Sequence, residues 1–346
     1  MSRIIRSLLA VALLSGIAVT QSAHADSTCR ILVLGAMPVE IGPFLARARI
    51  HDRVDISTTN RYDQEQLKSF FFGKLEGIEV IMAMTGIGTV NAIETTQLAF
   101  GHFGCISGVV FSGVSGGTGN EYIGDVLVPK TWTLDRFNAK GTKTSSSYVA
   151  DDQMLQAAKT ASNRVSLSSD GHVGDCGCVG IDPDATPTIH FAHRPTITFG
   201  SGLTGRSSDP FGGHAFPCVP GATDTFGCQP CKFQEVSSSE PARTVTTARP
   251  FATPQFFSWY QAWSAGGTGT FGVEDMESAA VASVAQGKAP FIAFRSPSDG
   301  GKGDPLVTVP GPFGFLPQFL AYRQYAADHA AAVALAFLRE WKVEHP

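Results

Sequence analysis

Apolar runs along the chain stop repeatedly at a glycine or an acid, and that punctuation defines the elements. Residues 30 to 36 (Arg-Ile-Leu-Val-Leu-Gly-Ala) read as a buried strand ending in a glycine turn, and 39 to 49 follow with helical spacing of Val39, Ile41, Phe44 and Leu45. Phe70 to Leu75 and Ile78 to Met84 read as a strand pair joined by the Glu76-Gly77 turn. Thr85-Gly86-Ile87-Gly88 breaks the second of these and opens a helix running to about Phe100. Ile106 to Phe111 is a further strand, ending in Ser112-Gly113-Val114-Ser115-Gly116-Gly117, with a short strand over Asp125 to Pro129. From about 135 to 245 the pattern loosens into Ser, Thr, Gly, Pro and Cys, holding one convincing helix at 151 to 161. Order returns with a strand at Phe271 to Glu274, a helix at Met276 to Gln286, a strand at Pro290 to Arg295 and a long Ala-rich helix from Pro317 to Trp341. Strands alternating with helices predict an α/β fold with a largely parallel or mixed central sheet covered on both faces. Glycines placed where strands stop predict a ligand crevice at the strand ends. The stretch from about 135 to 245 is then a loop-rich, cysteine-bearing insertion within one domain.

Composition adds a compartment. Arg3 and Arg6 precede an apolar run from Leu8 to Val19, and Ala23-His24-Ala25 supplies a small-x-small cleavage pattern. Residues 1 to 25 therefore read as a removable signal peptide, and 26 to 346 as a periplasmic or secreted chain. No later segment has about 18 consecutive apolar residues, so no stable membrane insertion is expected. A formal net charge of −4 without a long basic run leaves no electrostatic footprint for nucleic acid. Five of the seven cysteines, Cys176, Cys178, Cys218, Cys228 and Cys231, fall in the loose stretch. Export permits disulfides there, and a loop-rich segment needs them. Cys228-Gln-Pro-Cys231 also fits a redox pair or half a zinc site, but no histidine motif with finger spacing accompanies it. Structural disulfides are favoured, and no metal or cofactor is expected. Cys105, beside an apolar run, reads as the odd, free, buried thiol.

Three carboxylates sit where apolar elements end: Glu40, Glu277 and Asp299. Glu40 also suits a helix first turn, Asp299 a Ser-Asp-Gly turn, and Glu277 a solvated helix face. Glu277 resists its plain reading, because Met276-Glu277-Ser278-Ala279-Ala280-Val281-Ala282 is otherwise apolar or small, and a buried acid there requires a partner or a ligand.

Five ordered motifs then resemble one family. Ile31-Leu-Val-Leu-Gly-Ala-Met-Pro-Val-Glu40 resembles the first strand and Gly-Ala-Met-x-x-Glu turn of 5′-methylthioadenosine/S-adenosylhomocysteine nucleosidases, within the nucleoside phosphorylase superfamily. Thr85-Gly-Ile-Gly-x-Val-Asn-Ala92, Ser112-Gly-Val-Ser-Gly-Gly117 with Ile123-Gly-Asp-Val-Leu-Val128, Asp275-Met-Glu-Ser-Ala-Ala-Val281, and Pro290-Phe-x-x-x-Arg295 with Ser298-Asp299 are similar to its later segments. The resemblance covers about residues 30 to 135 and 245 to 341. It implies a three-layer α/β/α, nucleoside phosphorylase-like fold and N-glycosidic cleavage of an adenosine-type nucleoside by water.

The resemblance also implies roles. Asp299 would protonate N7 of the purine and receive its 6-amino group, and Glu40 would activate water. Glu277 would accept from the ribose 2′ and 3′ hydroxyls, with Met276 against the sugar. Thr85 and Gly86 would line the ribose side, Gly113, Val114 and Ser115 the base side, with Ser298 beside the acid. Phe251 would stack on the purine and Phe315 close the 5′ side. An oxocarbenium-like transition state needs such a proton donor and a presented nucleophile. Pro38, Val39 and Pro297 depart from the family pattern. Two other functions fit less well. A phosphorylase would place arginines in the glycine turns, which carry none. A nucleoside-capture, uptake or storage protein would have no need of all three acids. The expected partner is a small-molecule nucleoside, with homo-oligomers common in the family.

Overall fold

The structure, a computed structural model, describes residues 28–59, 65–137, 142–172, 188–214, 271–305 and 316–344. The signal peptide, the five cysteines of the loose stretch, Phe251 and Phe315 lie outside the described residues.

Strand β1 (Arg30–Gly35) is buried along nearly its whole length. Leu32 and Leu34 enter one apolar cluster and Ile31 and Val33 the other, so period-2 alternation feeds two cores from one strand. A strand buried on both faces needs helices on both. Helices α1 (Pro38–Leu45) and α3 (Asp152–Ser162) pack with the terminal α5 (Leu316–Glu344) on one side. Helices α2 (Thr89–His102) and α4 (Ser278–Ala285) pair on the other.

The remaining strands are β2 (Arg49–Thr59), β3 (Glu65–Leu75), β4 (Ile78–Met84), β5 (Ile106–Gly117), β6 (Val126–Phe137), β7 (Lys143–Val149), β8 (Asp170–His172), β9 (Thr188–His190), β10 (Ile197–Ser207), β11 (Val273–Asp275) and β12 (Phe291–Asp299). The main sheet runs β11-β10-β6-β12-β5-β1-β4-β3-β2, with β7 paired to β6. Its centre is parallel (β12-β5-β1-β4), and β2, β3 and β7 join antiparallel. It is the expected three-layer α/β/α fold with a mixed sheet.

Four expectations change in detail. The helix read at 39 to 49 stops at Leu45, because Arg49 opens β2, whose charged alternation suits an edge strand. The glycine run Ser112 to Gly117 is the end of strand β5, and Ser296 to Asp299 complete β12. Part of the stretch read as an insertion belongs to the sheet: β10 lies between β6 and β11. Cys105 is not a free thiol. It is bonded to Cys29, with Cα atoms 4.4 Å apart, because parallel β1 and β5 start side by side.

Candidate active site

The first acid arrives through α1. Pro38 opens the helix after the Gly35-Ala36-Met37 turn, which puts Glu40 at its third position. Its carboxylate folds back: Oε2 accepts from the amides of Ala36 and of Met37 (3.0 Å), and Oε1 from the Val114 amide at 2.8 Å. Gly113 permits this approach, since a Cβ there would stand 2.2 Å from Glu40 Oε1 and 2.7 Å from an Arg295 nitrogen. Burial pushes the Glu40 carboxyl up, opposed by Arg295 and the three amides.

The second acid caps a helix from a distance. Glu277 immediately precedes α4, and its Oε1 accepts from the Gly88 amide at 2.8 Å, where Thr85-Gly86-Ile87-Gly88 turns into α2. Gly88 has φ +96°, a conformation that favours glycine. Thr85 is fully buried, with its carbonyl accepting from Lys68 Nζ (2.6 Å) and Thr95 Oγ1 (3.2 Å).

Arg295 joins these two acids. It is fully buried on β12, with Nη2 3.3 Å from Glu277, Nη1 3.5 Å from Glu40 and Nε 2.8 Å from Asp275. Nη1 also donates to the Val114 carbonyl at 2.8 Å, and the guanidinium lies over the Phe111 ring. One cation therefore faces three buried carboxylates. Burial pushes Glu277 up, and the negative charges of Asp275 and Glu40 push it further against the pull of Arg295.

Asp299 stands apart, four residues further along β12. Its partner is the Ser298 hydroxyl at 2.9 Å, which also reaches the Ser115 carbonyl at 3.3 Å. Burial, against the Ser298 hydroxyl and with the charge of Glu274, pushes its carboxyl up to about 7. Near neutral pH such a group can deliver a proton. Met276, half-buried, lies between Asp275 and Glu277. The strand ends and turns of β1, β4, β5, β11 and β12 thus carry Glu40, Thr85, Gly86, Gly113, Val114, Ser115, Met276, Glu277, Ser298 and Asp299.

The phosphorylase superfamily model matches residues 30–179. An uncharacterized protein of Mycobacterium tuberculosis is 36% identical over 207 residues, covering 58% of this chain and 76% of that protein. The chain belongs to the phosphorylase superfamily. A 5′-methylthioadenosine/S-adenosylhomocysteine nucleosidase of Anoxybacillus flavithermus is 28% identical over 144 residues, 39% of this chain and 58% of that enzyme. Among solved structures, futalosine hydrolase of Helicobacter pylori superposes with a TM-score of 0.51 at 18% identity, covering 90% of this chain and 98% of that one, which speaks to the fold.

This superfamily member also places residues that the motif reading passed over. Asp209, just beyond β10, accepts from the Thr89 amide at 2.6 Å and from the Thr89 hydroxyl, beside the Gly88 amide that Glu277 holds. The Phe211 ring lies so close to Gly88 that a Cβ there would meet it at 2.9 Å. Both sit in Ser207-Ser-Asp-Pro-Phe211, where polar spacing hid a strand end. Asp275 accepts from Ser207 Oγ and from the amides of Glu277 and Ser278, fixing the start of α4. Arg295 was legible as a motif letter but not as the centre of the cluster.

Proposed function

We propose that this protein is an exported purine-nucleoside N-ribosyl hydrolase acting on an adenosine-type nucleoside, releasing free base and sugar. Glu40 carries the reading. A phosphate nucleophile would need amide donors and a cation beside the sugar. Here the amides of Ala36, Met37 and Val114, with Arg295 behind them, converge on the carboxylate of Glu40. The anion position is filled by the protein's own side chain, and a carboxylate so placed orients and deprotonates water. The A. flavithermus relative and the H. pylori neighbour are both named as enzymes that hydrolyse, which supports the same choice.

In this reading Asp299 gives its proton to N7, so the departing base leaves neutral. Glu277 holds the vicinal hydroxyls and places the anomeric carbon against the water at Glu40. In their ionised forms Glu277 and Glu40 favour the cationic sugar. The test is product analysis with adenosine, methylthioadenosine and S-adenosylhomocysteine, with and without phosphate. Free ribose and phosphate-independent rates are expected, and Asp299→Asn should lose about 10²–10⁴-fold. Sugar 1-phosphate as product would refute the hydrolase, and near wild-type turnover of Asp299→Asn would refute the acid. For export, the secreted form should begin at Asp26; a retained leader would count against it.

A further inference from the structure

A row of side chains beside Asp299 is left unused by that mechanism. Sheet register sets Asp299 of β12 opposite Gly116 of β5, and Glu274 of β11 opposite the same Gly116 from its other edge. In-register neighbours project to one face, so the two acids flank a position that has no side chain. A Cβ at Gly116 would stand 3.4 Å from Asp299 Oδ1. Two strand spacings, about 9–10 Å between backbones, leave room between the acids for the edge of a planar base.

The next strand extends the row, with Arg206 of β10 opposite Glu274. Arg206 is 2% exposed, and its Nη1 donates to Glu274 Oε1 at 3.1 Å while Nε donates to Asp135 Oδ2 at 2.9 Å. Its Nη2 is buried with no hydrogen-bond partner among the described residues. Asp135 is held in turn by the Ser145 hydroxyl, with Lys143 3.6 Å away. A plain surface ion pair is mobile on both sides and gains little. This one has a clamped, buried arginine gripping one oxygen of a carboxylate whose side chain is 37% exposed. The charge of Glu274 is close enough to raise the proton affinity of Asp299.

We propose that Glu274 is a specificity-determining residue for the base, selecting a purine with an amino group at C6 over one with an oxo group. The inference rests on the nucleosidase reading, in which Asp299 addresses N7. The C6 substituent shares that edge of the purine, so it faces the acid next to Asp299. An amino group has two N–H donors, one for each acid. An oxo group offers only lone pairs, which an ionised carboxylate repels. Arg206 holds Glu274 in place through the 3.1 Å contact to Oε1.

The test compares kcat/KM for adenosine and inosine in the full chain and in Glu274→Gln. Wild type should prefer adenosine. Glutamine removes the charge and offers an amide N–H to the oxo group, so the ratio should narrow about tenfold or more. Glu274→Asp, which keeps the charge but withdraws it by one methylene, should fall between the two. An unchanged ratio in Glu274→Gln, or a wild-type preference for inosine, would overturn the proposal. Calorimetric binding of adenine and hypoxanthine reads the same discrimination without turnover. A chain that cleaves no nucleoside overturns the hydrolase reading, yet an adenine preference lost in Glu274→Gln would still support Glu274. A preference retained in that variant, or binding of neither base, would overturn it.

Discussion

Arg295→Met tests the electrostatic core of the site. The substitution keeps an unbranched chain of similar length but removes the cation that three buried carboxylates share, at 2.8 Å from Asp275, 3.3 Å from Glu277 and 3.5 Å from Glu40. It also strips the Val114 carbonyl of a donor at 2.8 Å and the Ser278 hydroxyl of one at 2.9 Å. Removing one side of a buried ion pair costs about 3–5 kcal/mol. Losing the carbonyl's donor alone costs about 1–3 kcal/mol, and the two do not simply add. The acids can limit the loss by taking up protons, so the penalty depends on pH. A buried carboxyl pushed up in the folded state binds a proton that the unfolded chain has released, and stability then falls as pH rises through that window. Without Arg295 the window widens upward, since Glu40 and Glu277 lose the charge that pulls them down. Urea unfolding at pH 5.5 and pH 8 should therefore show a loss of about 3–5 kcal/mol at the higher pH and clearly less at the lower. A loss below about 1 kcal/mol, the size of an exposed pair, would show that the cluster is solvated and the reasoning wrong. So would a loss independent of pH.

The other expectations concern the disulfide, the acid and the sugar loop. Replacing Cys29 and Cys105 by serine opens a crosslink across 76 residues and should lower stability by about 4 kcal/mol on loop entropy, matched by wild type in dithiothreitol; equal unfolding midpoints would show the bond is not formed in solution. Because the proposed role of Asp299 requires its proton, kcat/KM should fall as pH rises through about 7, and Asp299→Asn should abolish that limb; a profile flat to pH 9 would contradict the assignment. Asp299→Asn should also be the more stable protein at pH 8 and lose that advantage by pH 4, as calorimetric scans at the two pH values would show, because folding takes up the Asp299 proton between its unfolded and folded ranges. Lys68→Met should raise KM more than it lowers kcat, since it leaves the Thr85 carbonyl with the Thr95 hydroxyl alone in the turn that the proposed function sets beside the sugar; an unchanged KM would sever Lys68 from the site.

The parts of the fold legible from the chain were those whose pattern is local. Phe70 to Leu75 and Ile78 to Met84 pair around a two-residue turn, and both register and turn can be read there without tertiary information. Asp152–Ser162 shows an apolar stripe and an Asp151 cap, both local signals. β10 was not legible, because Thr198, Gly200, Gly202, Thr204 and Gly205 look like a loop. Gly205 is there because a Cβ would drive into the buried Trp132 ring at 2.4 Å, a constraint set by a neighbouring strand. The three acids stood out because an acid in an apolar setting is anomalous. Their shared cation did not, because an arginine inside a strand gives no sign of how many acids meet it. The Cys29–Cys105 bond was missed for the same reason: two cysteines 76 residues apart become neighbours only through the parallel pairing of β1 and β5.

The buried acids differ in how helix starts and Arg295 are distributed among them. Glu40 caps the beginning of α1 through Met37, Glu277 takes the Gly88 amide at the beginning of α2, Asp209 takes the Thr89 amide beside it, and Asp275 takes the Glu277 and Ser278 amides at the beginning of α4. The exposed amides and the dipole of a helix start favour a negative charge there. Arg295 adds its own charge to Glu40, Asp275 and Glu277. Asp299 receives neither: its partner is a neutral hydroxyl, it sits at a strand end, and the nearby charge that moves it, Glu274, is negative. Burial still pushes Glu40, Asp209 and Glu277 up against those amides, Glu277 to about 8, and it pushes Asp299, which has only a hydroxyl partner, up to about 7.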